Sequence, residues 1–284
     1  MNAFSRLALI GAGAITVCGM LAAGYVYFAS ERLISRAYPL PDSHMRAATG
    51  AVAVARGGRL AFAYGCADCH GHKLQGVYIP HFGVMSRNLP VLARSLSDAD
   101  FDRIIRHGLR PDGKSVAEFM PSDSYQFMTD ADLAAILGFI RSQPASGESP
   151  PEPSFDLYAR YHFLIGDRKT VRDWFPTQEQ ALDLGPRFAR GRSMAMAACG
   201  ECHTTSLKGQ PGPVGSPPDL SIVASYDRAT FLNFMHTGKA AGNHELAMMS
   251  AAARVRFSHF TDDDLNAIYD YLFARGKKLT GSGA

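Results

Sequence analysis

The chain has 284 residues, 46% of them hydrophobic, with 29 Lys and Arg against 26 Asp and Glu. That length has room for more than one domain with ordinary cores, and a formal charge of +3 is too near balance for a basic nucleic-acid-binding protein, so no nucleic acid is expected among its partners. Of the five cysteines, four fall in two short clusters and only Cys18 lies outside them.

From Leu7 to Ser30 runs an uncharged stretch of 24 residues, long enough to cross a bilayer as a helix. Residues 1–30 are therefore expected to form a membrane anchor in contact with lipid, with Tyr25 and Tyr27 near its outer end, where amphipathic rings favour the interface. A signal peptide cleaved after Ser30 is the alternative. Residues 31–50 read as a linker.

An internal repeat follows. "GRLAFAYGCADCH" from Gly58 and "GRSMAMAACGECH" from Gly191 align without a gap at a shift of 133, "FDRIIRHG" from Phe101 matches "FLNFMHTG" from Phe231, and "TDADLAAILGFI" from Thr129 matches "TDDDLNAIYDYL" from Thr261. Two copies of one helical domain are expected, at 51–144 and 185–276, separated by a linker at 145–184 and followed by a tail at 277–284. Each copy closes with a helix that Thr129 or Thr261 caps, with Asp132 or Asp264 three positions on. The apolar residues Leu133, Ile136, Leu137 and Ile140, or Leu265, Ile268, Tyr269 and Leu272, then recur at helical spacing. Pro144 and Gly276 are expected to stop these helices. Between the copies, "PASGESPPEPS" cannot hold a regular element, and "FDLYARYHFLIGDRKTVRDWFP" mixes aromatics with charges, as packing between the two domains would need.

Each copy carries Cys-x-x-Cys-His, as Cys66, Cys69 and His70 and again as Cys199, Cys202 and His203. Such a pair of thiols can form a redox disulfide, supply half a zinc site, or attach a haem when His follows at once. The disulfide gives the histidine no task, and zinc needs both pairs in one tetrahedron although each belongs to its own repeat. Haem attachment uses every member: the thiols add to two vinyl groups and the imidazole becomes an axial iron ligand. Two covalently attached haem c groups are expected.

With these motifs the chain resembles the cytochrome c superfamily, specifically membrane-anchored dihaem cytochromes c with two fused domains, from about Ala51 to Gly276. The resemblance implies an all-α fold, an N-terminal transmembrane helix followed by two tandem domains. It implies that a helix before each motif crosses the closing helix through small residues, Gly58 against Phe139 and Gly191 against Tyr271. It also implies a sixth ligand, usually methionine, from the loop before the closing helix. Met120, followed by Pro121, fits that pattern. The second copy departs from it, having no Met-Pro pair, and leaves the choice between Met248 and Met249; Met249 is preferred because Ser250 follows it where Pro121 follows Met120. Met85, Met128, Met194 and Met196 read as packing residues. His72, His81, His107, His244 and His259 read as solvent-facing or hydrogen-bonded, and Arg110 and Lys114 as loop charges that propionates would suit.

An iron closed by His and Met has no open position and serves electron transfer. The expected function is a relay between a membrane or periplasmic redox enzyme and another carrier, with a dehydrogenase or terminal oxidase as partner. The chain is then an electron-transfer subunit rather than an enzyme in its own right. A dihaem peroxidase is the alternative. By the resemblance, the anchor lies in the inner membrane and the haem domains in the periplasm.

Overall fold

The computed structural model describes residues 3–80, 83–116, 119–210 and 216–281, and His81 lies outside them. The described residues form a mostly helical molecule. First comes α1 (Ala3–Ile34), apolar and long enough to cross a membrane. The first domain contains α2 (Ala51–Ala63), α3 (Cys66–His70), α4 (Leu89–Leu92), α5 (Asp98–His107), α6 (Ser122–Tyr125) and α7 (Asp130–Ser142). A two-residue hairpin, β1 (Tyr78–Ile79) with β2 (Val84–Met85), pairs Tyr78 with Met85. Next come α8 (Leu157–Ile165) and α9 (Val171–Trp174), and then the second domain, with α10 (Ala189–His203), α11 (Arg228–Thr237), α12 (Ala247–Val255) and α13 (Asp262–Leu279).

Each domain is built on one helix crossing, α2 on α7 and α10 on α13. The apolar stripe of α7 is wholly inside, with Leu133, Ile136, Leu137 and Ile140 at 0–1% exposure, and Leu265, Ile268, Tyr269 and Leu272 on α13 are buried likewise. Burying each such side chain is worth about 1.5–3 kcal/mol, so these residues hold the crossing together. Thr129 and Thr261 cap the closing helices by accepting from the Asp132 and Asp264 backbone N–H groups. The reciprocal half of the cap forms only at Thr261. Both aspartates pair with an arginine, Arg56 or Arg190, and Asp132, instead of completing the cap, accepts from the Tyr64 hydroxyl at 3.1 Å.

Three expectations need correction. The closest helix approach in the first domain is at Gly57 rather than Gly58: a Cβ on Gly57 would lie 1.8 Å from the Ala135 carbonyl oxygen, and one on Gly191 would lie 2.0 Å from that of Ala267. Gly58 faces the Phe139 ring, at 3.1 Å from an added Cβ. The ion pairs agree, since Arg56 holds Asp132 and Arg190 holds Asp264. Arg56 stands ten positions before Cys66 and Arg190 nine before Cys199, so the copies do not align without a gap. The first copy takes up its extra residue where α2 breaks, at Tyr64 and Gly65, the latter in the left-handed region at φ 78°; α10 runs unbroken into its motif.

Gly276 does not stop α13, which continues to Leu279. Its lack of a side chain admits the turn at Leu220–Ser225, whose Ser221 carbonyl would lie 2.6 Å from an added Cβ. Finally, the aromatic segment after the proline-rich stretch packs on α1 and the first domain rather than between the domains. Arg160 of α8 stacks on the Tyr27 ring at 4.2 Å and bonds Ser30 and Glu31, while Asp173 accepts from the Tyr38 hydroxyl. Val171 is buried beside Gly108.

Candidate functional site

The chain after each motif histidine reverses by the same device. Leu74 and Leu207, each eight positions past the first motif cysteine, are fully buried and adopt φ of 57° and 59°, a left-handed conformation that costs a leucine about 1–3 kcal/mol. Their burial in the core holds that strain in place. Their carbonyls accept from the Leu89 and Leu220 N–H groups, both at 2.9 Å, which brings the returning loop back beside the motif. Gly76 and Gly209 N–H bond the carbonyls of His70 and His203, again at 2.9 Å in both copies.

The returning loops bring two backbone carbonyls to the imidazoles. His70 Nδ1 lies 2.8 Å from the Arg87 oxygen, and His203 Nδ1 lies 2.8 Å from the Pro218 oxygen. A carbonyl only accepts, so Nδ1 carries the proton in each ring and the Nε2 lone pair is left for a ligand. Burial pushes both imidazole pKa values down, which keeps the rings neutral. A second-layer carbonyl that fixes the tautomer is what a metal-ligating histidine needs.

The four motif thiols are unpaired. Burial pushes Cys66 and Cys199 up to about 12, and burial followed by the Glu201 carboxylate raises Cys69 and Cys202. Among the described residues no group of three or more His, Cys, Asp and Glu is placed to hold a metal ion. Two thiols and a neutral, oriented imidazole per domain fit a covalently attached haem.

On the loops ahead of the closing helices, Met120 is partly buried against the core. Met249 on α12 is packed the same way, whereas Met248 is 57% exposed. A second marker comes from two fully buried serines: Ser122 bonds the Ile104 carbonyl at 3.0 Å and Ser250 bonds that of Gly238 at 2.6 Å, each at the end of the middle helix. Counting back two residues from the serines places Met248 opposite Met120, while packing places Met249 there.

The other sulfur and imidazole groups lie elsewhere. Met128, Met194 and Met196 are core residues, and Met85 is 47% exposed on β2. Among the described histidines set aside in the sequence, His72 and His259 both lie against the Phe62 ring, with centroids at 5.4 and 4.7 Å. Arg110 pairs with Asp112 and Glu152. The Arg87 and Pro218 acceptors were not anticipated from the sequence, although Leu74 with Gly76 and Leu207 with Gly209, at equal offsets from their histidines, carried the signal.

A family model described as cytochrome c matches residues 54–144 and 188–274, more than half of the chain. The chain is 28% identical over 258 residues to the fructose dehydrogenase cytochrome subunit of Gluconobacter japonicus, covering 77% of this chain and 52% of that one. It is 26% identical over 205 residues to the cytochrome c subunit of the quinone alcohol dehydrogenase of Gluconacetobacter polyoxogenes, covering 61% and 43%. Against a dihaem c-type cytochrome of Cereibacter sphaeroides it is 24% identical over 260 residues, covering 76% and 84%. The chain thus spans about half the length of the dehydrogenase subunits it matches.

Proposed function

The chain belongs to the cytochrome c family, with two tandem domains, and from that premise we propose that it relays electrons as the dihaem cytochrome subunit of a membrane-bound dehydrogenase. When bound, each haem supplies one-electron chemistry, cycling between ferric and ferrous iron. The observation that carries the proposal is the doubled one: in both domains an unpaired thiol pair adjoins a histidine whose Nδ1 is tied to a backbone carbonyl.

Cys66 with Cys69, and Cys199 with Cys202, would hold the two haems, and His70 and His203 would offer Nε2 to iron. Met120 and Met249 would supply the thioethers on the other side, and a thioether ligand would raise the potential relative to a second imidazole. The buried surroundings of the histidines exclude water, so the protein tunes and positions the groups. α1 anchors the chain in the inner membrane, with both domains in the periplasm. The dehydrogenase is the donor, by likeness to the relatives' cytochrome subunits, and another carrier or a terminal oxidase accepts.

The test is made on detergent-extracted protein. Pyridine haemochrome should report two haems per chain, carbon monoxide should bind little to the reduced form, and hydrogen peroxide turnover should be negligible. Rapid stoichiometric carbon monoxide binding at one haem, with peroxide turnover, would replace the relay by a dihaem peroxidase.

A further inference from the structure

The two haem-attachment motifs face each other. Arg256, between α12 and the turn at Phe257–His259, donates from Nε to Asp68 and from Nη1 to Glu201 at 2.6 Å. Asp68 stands between Cys66 and Cys69, and Glu201 between Cys199 and Cys202. One guanidinium thus ties together the interiors of both Cys-x-x-Cys turns, which come from different domains.

The surroundings are shaped for this approach. A Cβ on Gly65, next to Cys66, would lie 2.7 Å from the Arg256 Cζ, and one on Gly200 would lie 2.9 Å from the Ser124 Oγ of the first domain. Tyr64 meets Phe260 edge to face at 5.6 Å, Phe62 lies on His259, and Ser193 bonds the Phe127 carbonyl. The Arg256, Asp68 and Glu201 side chains are 20, 26 and 40% exposed, so the bridge is partly withdrawn from water. Burial disfavours the charge on Arg256, and the Glu201 and Asp68 carboxylates outweigh it. An isolated surface pair contributes little, but a planar fork that spans two carboxylates fixes their relative position.

We infer that Arg256 is a positioning residue that locks the two haem-attachment turns against one another, so that the electron passes between the domains across the contact of Asp68, Arg256 and Glu201. This rests on the relay reading. In the step, one ferrous haem becomes ferric as the other goes from ferric to ferrous, with no proton or further reactant. Lysine cannot replace Arg256 in full, because a single ammonium lacks the fork that reaches both carboxylates.

The test uses the full-length holoprotein with Arg256→Gln and Arg256→Lys. Haem content is read by pyridine haemochrome, both midpoint potentials by redox titration, interdomain equilibration by pulsed reduction, and amide exchange in the Phe62–Asp68 and Ala198–Glu201 segments by mass spectrometry. Arg256→Gln should keep two haems, lower both potentials because a nearby cation is lost, slow equilibration at least tenfold and speed exchange in both segments. Arg256→Lys should restore the potentials but not the rate. Equilibration and exchange unchanged in Arg256→Gln would overturn the inference.

Should Arg256→Gln lose haem, the double variant Asp68→Asn, Glu201→Gln removes the same bridge from the other side. It should slow equilibration while raising both potentials, and an unchanged rate there counts against the inference equally. Absence of haem from the wild-type chain would instead sink the relay reading, and the exchange measurement would still decide whether Arg256 locks the turns.

Discussion

At the scale of single residues, the proposed attachment sites are readable because their chemistry is local. Cys66, Cys69 and His70 lie within five positions, as do Cys199, Cys202 and His203, and no tertiary information is needed to assemble them. The proposed sixth ligand is different, because its loop has a register that depends on packing. Met249 is proposed because it packs inward beside a 57% exposed Met248. Met249→Ala should leave both haems attached, since Cys199 and Cys202 still hold the second one. It should abolish the Met-to-iron charge-transfer absorption of that site, lower its potential and admit about one carbon monoxide per chain. Met248→Ala should change none of these, because an exposed thioether leaves no coordination position empty. Loss of the absorption in Met248→Ala alone would move the ligand by one residue, to the register counted from Ser250.

Among the elements, the closing helices show what periodicity conveys. The stripes on α7 and α13 are buried as their spacing predicts, because a 3.6-residue period and a threonine cap are local properties. Which glycine sits at the crossing is not local: matching the cysteines aligns Gly58 with Gly191, and the extra residue at Tyr64 and Gly65 is visible only once α2 is seen to break there. A substitution pair separates the two. In Gly57→Ala the new methyl meets a backbone carbonyl at 1.8 Å and the helices have to move apart, at a cost of about 1–3 kcal/mol. In Gly58→Ala the new methyl meets the edge of the Phe139 ring at 3.1 Å, which can rotate away, and the gain in helix propensity of about 0.8–1 kcal/mol offsets that contact. Denaturant unfolding of the holoprotein should therefore show a clear loss for Gly57→Ala and near neutrality for Gly58→Ala. The reverse order would restore the gapless alignment.

For the whole molecule, the contact between α1 and α8 bears on whether the apolar segment stays with the chain. A cleaved signal peptide has no reason to pack on the mature fold, whereas here Ser30 is fully buried and accompanies Tyr27 and Glu31 around Arg160. Arg160 is itself only 8% exposed. Cleavage after Ser30 would remove the ring and the hydroxyl and leave a buried guanidinium with Glu31 at a new chain end, which is unfavourable because an unpaired or badly paired buried charge costs several kcal/mol. Sequence alone could not decide this, since twenty-four uncharged residues suit either fate and the α8 partner lies some 130 positions away. We expect the mature holoprotein to be extracted from membranes only by detergent, with α1 present in its intact mass. Arg160→Met should keep the chain in the membrane but speed amide exchange in α8, because the methionine leaves Glu31 and Ser30 without their partner. Recovery of a soluble holoprotein beginning near Glu31, with α8 as protected from exchange as in the full chain, would show that the contact with α1 is dispensable and that the segment is a leader.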